Sequence, residues 1–168
     1  MNSDQRIEYF RKDVRFTGKH SRYIDALWEQ NQIKNSFIRT LYELYGIAAI
    51  LGLRTKSRKP LDGSEGVRTL QFGQLSGYVP VLKTIMITVL LLDESMGRTD
   101  EEKINRAFRG PLTEQELEED MELFNSYVRG GIEYLYEELV ERPLTMYDEY
   151  TDVRIGNIIA LLENSLEI

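Results

Sequence analysis

The chain has no cysteine. Disulfides, thiolate metal sites and thiol nucleophiles are excluded together, and a reducing, cytoplasmic setting is the default expectation. Histidine is nearly absent too: His20 stands alone, so imidazole bases and imidazole metal clusters have little to draw on. No Gly-x-Ser-x-Gly, Ser-x-x-Lys or Gly-Lys-Ser/Thr motif occurs, which leaves serine nucleophiles and P-loops without support. The longest apolar run, Val79–Leu92, is short of the ~20 residues a membrane span needs. The opening MNSDQRIEYFRKDV lacks a signal-type apolar stretch, and no membrane association is expected. Only four prolines occur, at 60, 80, 111 and 143, the first in a stretch of turn residues and the others where an apolar pattern starts or stops.

What is present is ordinary globular material. The 168 residues are 42% apolar and 29% charged, enough for one domain with a real core. The expected fold is all-α: a single-domain bundle over 1–168 of seven or eight helices, packed around a buried central helix at about 79–94. Helical spacing appears at Ile7, Phe10 and Val14, predicting a first helix over Ser3–Phe16 that Thr17-Gly18 ends. A second is predicted from Ser21 to Gln30. Between Asn35 and Leu53 two adjacent stripes, Phe37-Leu41-Leu44-Ala48-Leu51 and Ile38-Tyr42-Tyr45-Ala49, make a wide apolar face. Gly46 and Ala48-Ala49 leave room for another helix to approach.

Arg54–Gly66 breaks this pattern with turn residues and reads as one long basic loop. Val67–Leu75 alternates loosely, but a lone strand has no partner here, so it is read as irregular or as the lead-in to a helix. Val79–Leu92 is half β-branched, yet its length and Pro80 at its start favour a helix, apolar on every side. Thr99 opens a short helix with Ile104, Ala107 and Phe108 inward, stopped by Gly110-Pro111. Thr113 and Glu116 fit a capping box for a helix over Glu114–Arg129. Gly130-Gly131 is expected to kink or end it, with Ile132, Leu135 and Leu139 continuing on a new axis to Glu141. A last helix is predicted over Val153–Leu166.

Charge is divided unevenly. Residues 1–60 hold twelve Lys/Arg against six Asp/Glu, and residues 61–168 hold nine against twenty-two. A basic third of about +6 and an acidic remainder of about −13 make either a polyanion or a second subunit a fitting partner. Arg54, Lys56, Arg58 and Lys59 are the candidates for binding nucleic acid or another anion. Such contacts are salt-dependent and independent of base sequence. Tyr134 and Tyr136, with Tyr147 and Tyr150, are the interface candidates, because paired tyrosines are enriched at interfaces. Asp148 and Asp152 would share a helix face, but no EF-hand spacing is present, and neither a metal nor a cofactor is expected.

Arg15-Phe16-Thr17-Gly18-Lys19-His20 reads as Arg-x4-His. Over these six residues the chain resembles the active-site spacing of small helical ribonucleases of the HEPN class. That resemblance implies RNA cleavage by Arg15 and His20. In that family the pair sits on a helix and a polar residue usually follows the arginine, where this chain has Phe16.

Missing catalytic groups, opposed charge and abundant tyrosine together favour a non-enzymatic helical interaction protein. It would serve as an adaptor or small subunit of a cytoplasmic assembly, with a protein partner or self-association. Nucleic-acid binding through Arg54–Lys59 is the alternative, and an RNA-cleaving enzyme the third reading.

Overall fold

The structure is a computed structural model that describes residues 7–28, 38–142 and 153–164. In chain order the elements are β1 (Val14–Thr17), α1 (Lys19–Leu27), α2 (Leu41–Arg54), β2 (Val67–Leu70) and the short α3 (Phe72–Leu75). They are followed by α4 (Val79–Leu92), α5 (Asp100–Arg109) and α6 (Glu114–Tyr136). A turn of π-helix over Glu137–Glu141 extends α6, and α7 (Val153–Asn164) comes last. The protein is a helical bundle of seven α-helices with one two-stranded sheet among the described residues. None of its described helices is long and apolar enough to cross a membrane.

Local chemistry accounts for most helix starts. Thr40, Thr99 and Thr113 each accept a hydrogen bond from the backbone N–H three residues on, at Glu43, Glu102 and Glu116. Glu102 reaches back to the Thr99 N–H at 2.7 Å, completing a capping box. At the second expected box Glu116 binds the Leu112 N–H instead, at 2.6 Å. Pro80 occupies the first turn of α4, where its missing N–H costs nothing.

The N-terminal expectation is corrected. Residues 7–13 are not helical, and Val14–Thr17 is a strand. Phe10 takes φ +61°, a left-handed conformation rare for a bulky residue, and its buried ring packs edge-on against Tyr45 and Phe124. The pull of that aromatic cluster outweighs local helix spacing. β1 pairs antiparallel with β2, Val14 opposite Leu70 and Thr17 opposite Val67, so the strand read as partnerless has a partner. Val14 and Phe16 face the core while Arg15 faces water, the period-two alternation of a half-buried strand. Gly18, at φ +59°, then turns the chain into α1, which starts and ends slightly earlier than predicted.

The centre of the bundle is the pairing of α2 with α6, antiparallel and very close. A β-carbon on Gly52 would lie 1.9 Å from the Tyr127 carbonyl oxygen, and one on Gly131 would lie 1.9 Å from that of Ala48. Gly130 meets the Ser57 carbonyl oxygen at the same distance. Gly130-Gly131 therefore does not end α6; the pair lets backbone meet backbone within a helix that continues to Tyr136.

α4 has the predicted helical bounds, and α2 packs against it as expected. Its burial differs from expectation. Leu82, Ile85, Met86, Val89 and Leu90 are buried, but Val81 and Leu92 are exposed. Composition alone does not create an all-round burial partner. Ile104 and Phe108 of α5 are likewise exposed, leaving Ala107 as that helix's buried contact. Residues 38–40 precede α2 without being helical, and the predicted 35–37 start lies outside the described residues, as do Tyr147, Asp148, Tyr150, Asp152 and 165–166.

Candidate functional site

The basic loop is strapped along α6. The Lys59 N–H donates to the Ser126 carbonyl at 3.0 Å, and Arg129 Nε donates to the Lys59 carbonyl at 2.7 Å. Arg58 donates from Nε to Ser126 Oγ at 2.9 Å and from a second nitrogen to Ser95 Oγ, with its guanidinium 5.8 Å from the Tyr127 ring centre. Lys59 Nζ lies 3.2 Å from Glu133 Oε2. Lys56 is 3.8 Å from Glu94 in an open pair, and Arg54 stands exposed in the last turn of α2. Of the four sequence candidates, Arg58 and Lys59 bond to residues of α6, and Arg54, Lys56 and Arg58 are all exposed at the surface.

Glu133 gathers three cation-forming groups. Its Oε1 is 2.7 Å from Lys19 Nζ and 3.0 Å from His20 Nε2, while Oε2 takes Lys59. Burial pushes its carboxyl up, but hydrogen bonds from Lys19, Lys59 and His20 bring it net below the usual range. His20 is 1% exposed, and its Nδ1 has no hydrogen-bond partner among the described residues. Burial lowers the His20 pKa despite the bond to Glu133, which keeps the ring neutral near pH 7. Arg15 points to water on β1, at the rim of a cleft of about 260 Å³ floored by Phe10, Leu117 and Met121. No hydrogen bond or ion pair joins Arg15 to His20.

Among the tyrosines, Tyr136 stacks flat on Tyr23 with ring centres 4.0 Å apart, tying α6 to α1. Tyr134 is half-buried. Among the described residues no group of three or more acids or histidines is placed to hold a metal ion.

A further concavity among the described residues lies between α2 and α4. The two helices run in the same direction: Tyr42 meets Tyr78 at their starts, Gly46 faces Ile85 midway, and Ile50 and Leu53 share a wall with Thr88 and Leu92 near their ends. The cleft there measures about 740 Å³. Ile50 is 48% exposed and Leu92 63%, and Ile47 and Val81 are also exposed farther along the two helices. The threonines on this side of α4 present less polarity than their formula implies. Thr88 donates its hydroxyl to the Thr84 carbonyl at 3.0 Å, and Thr84 donates to the Pro80 carbonyl at 3.2 Å, so both spend their protons within the helix. At the C-terminal ends of the two helices Arg54, Lys56 and Arg58 outnumber Glu94, and Glu43 lies at their starts beside Tyr78.

Sequence reading singled out these cations but missed the groove beside them. A signal was available. A 14-residue helix whose only charge is Lys83 exposes apolar surface on any side its neighbours fail to cover. Glu133 was missed for another reason: Lys19, Lys59 and Glu133 lie far apart in sequence and meet only through the fold. No family model matches the chain, and neither a curated protein nor a solved structure matches it.

Proposed function

We propose that the protein is a non-enzymatic helical interaction protein, an adaptor or small subunit of a larger cytoplasmic assembly, and that it receives an amphipathic helix in the α2–α4 groove. The observation that carries this reading is the groove itself: exposed Ile47, Ile50, Val81 and Leu92 line its apolar length, and a cleft with more cations than acids closes one end. Helices laid in apolar grooves are read through side chains at i, i+3, i+4 and i+7, and acids at the helix's end would meet Arg54 and Lys56. Three leucines buried there would gain roughly 5–9 kcal/mol gross, consistent with binding on the order of micromolar.

The test uses a labelled 16-residue synthetic helix with leucines at that spacing and glutamates in its last turn. Fluorescence anisotropy should show saturable binding to the full chain, and Leu92→Glu should abolish it. Absence of binding, or binding that ignores Leu92→Glu, would remove the groove as the docking site. The nucleic-acid alternative has its own signature. Binding of single-stranded RNA that falls steeply with salt and is lost on charge reversal at Arg54 and Lys56 would favour it. It is the weaker reading because Arg58 and Lys59 already bond to Ser126 and Glu133 of α6.

A further inference from the structure

We infer that the helix received in this groove is α7 of a second copy of the chain, so that two copies exchange α7 reciprocally. The inference rests on the groove reading above and names its occupant. α7 meets the bundle where Asn157 Nδ2 donates to the Leu139 carbonyl at 3.0 Å and Leu161 packs against the core. On its other side Ile158 is 40% and Ile159 49% exposed, and Leu162 continues the exposed stripe. From Ile155 through Leu162 the helix carries no charge, and Glu163 closes it. Each surface is thus an apolar strip about two turns long; Arg154 precedes the strip on α7 and Glu163 follows it, and the groove has its cations at the C-terminal ends of α2 and α4. The two C-terminal ends have opposite sign.

Laid parallel to α2 and α4, α7 would place Glu163 and its own C-terminal carbonyls beside Arg54 and Lys56. Helix C-termini carry partial negative charge, so cations at that end favour all three helices. The chain's division into a basic first third and an acidic remainder acts in the same direction.

A copy's own α7 is badly placed for its own groove. Gly131 of α6 sits at Ala48 and Tyr127 at Gly52, so α6 and its π-helical extension run toward the N-terminal end of α2. α7 is anchored to that extension, whereas the groove's charged mouth is at the opposite end of α2. Each copy offers one groove and one helix. Two reciprocal contacts close a two-fold dimer and leave nothing to propagate a filament.

The experiment is light scattering with sedimentation on the full chain over a concentration series, using Ile50→Glu as the groove variant and Ile159→Glu as the helix variant. Both sites are exposed, and circular dichroism should confirm that each variant folds. The unaltered chain should run at about twice its 19.6 kDa mass. Either variant alone should pair about a hundredfold more weakly, because each buries a carboxylate in an apolar contact. Mixing the two variants should restore pairing, since one intact groove can still take one intact helix. A chain that is monomeric throughout, variants that still dimerise, or a mixture that fails to pair would each overturn the inference. A monomeric chain whose groove still binds the synthetic acidic helix would sink the exchange and leave the groove reading standing. Failure of both peptide and copy would sink both.

Discussion

Gly131 of α6 lies against the backbone of Ala48 in α2, so close that a β-carbon on it would sit 1.9 Å from the Ala48 carbonyl oxygen. No L side chain fits without separating the two helices at the centre of the bundle. Gly131→Ala should therefore cost about 1–3 kcal/mol or more by overpacking. Gly73 is the control: nothing lies within 4 Å of its would-be β-carbon, and it sits in the short helix α3. Gly73→Ala should be neutral or stabilise by up to about 1 kcal/mol. Urea unfolding of the two variants measures both.

Asp120 is fully buried and accepts from the Tyr9 hydroxyl at 2.7 Å and from Arg106 Nε and a terminal nitrogen at 3.0 Å each; Arg98 stands 3.0 Å away. One carboxylate thus joins the N-terminal segment to α5 and α6. Asp120→Asn removes the buried carboxylate shared by two largely buried guanidinium groups, leaving Arg106 with Glu116 and Arg98 with the more distant Glu119, and should cost about 3 kcal/mol. Glu118, two residues away and exposed, should tolerate Gln within about 0.5 kcal/mol. A lower urea midpoint at unchanged slope for Asp120→Asn alone would bear this out.

Because burial holds the His20 pKa below 6.5, the unfolded chain binds more protons than the folded one below that value. Stability contributed by the neutral ring is present above pH 6.5 and falls as the pH drops through and below it. NMR titration of this single histidine should give a midpoint below 6.5. His20→Gln should flatten the stability profile between about pH 6.5 and 5.

Glu133 titrates in the opposite balance of forces. Its folded pKa lies below 4.5, so its stabilising contribution is present above 4.5 and disappears as pH falls through the folded value. Glu133→Gln should cost about 1–2 kcal/mol near neutral pH, at the low end for a buried ion cluster because Lys19 and Lys59 are both 41% exposed. It should also drop the His20 midpoint further, since the carboxylate that favours the protonated ring is gone. A His20 midpoint unmoved in Glu133→Gln would show that the two groups are not coupled.

Particular elements show what was legible. Thr99 with Glu102 and Thr113 with Glu116 announced helix starts because a cap and its partner lie three residues apart. Val79–Leu92 was read with its observed bounds, since Pro80 at one end and Asp93 at the other are local signals. Ile7-Phe10-Val14 was misread because helical spacing over three residues is weak. The competing contacts, Phe10 on Phe124 and Val14 opposite Leu70, come from remote parts of the chain. The basic loop was correctly placed as a loop, while the engagement of Arg58 and Lys59 along α6 was invisible.

The sequence by itself determined the helical class, the apolar stretches that had to be covered and the uneven distribution of charge. Each depends on hydrogen bonds and periodicities that close within a few residues. Only the tertiary structure decided which side of α4 stays bare, which glycines lie between helices and which loop cations bond to α6. Those outcomes depend on groups remote in the chain arriving at the same place, as Gly131 does at Ala48 and Ile85 at Gly46. There, packing and the desolvation of charge are decided jointly, and no local pattern records the result.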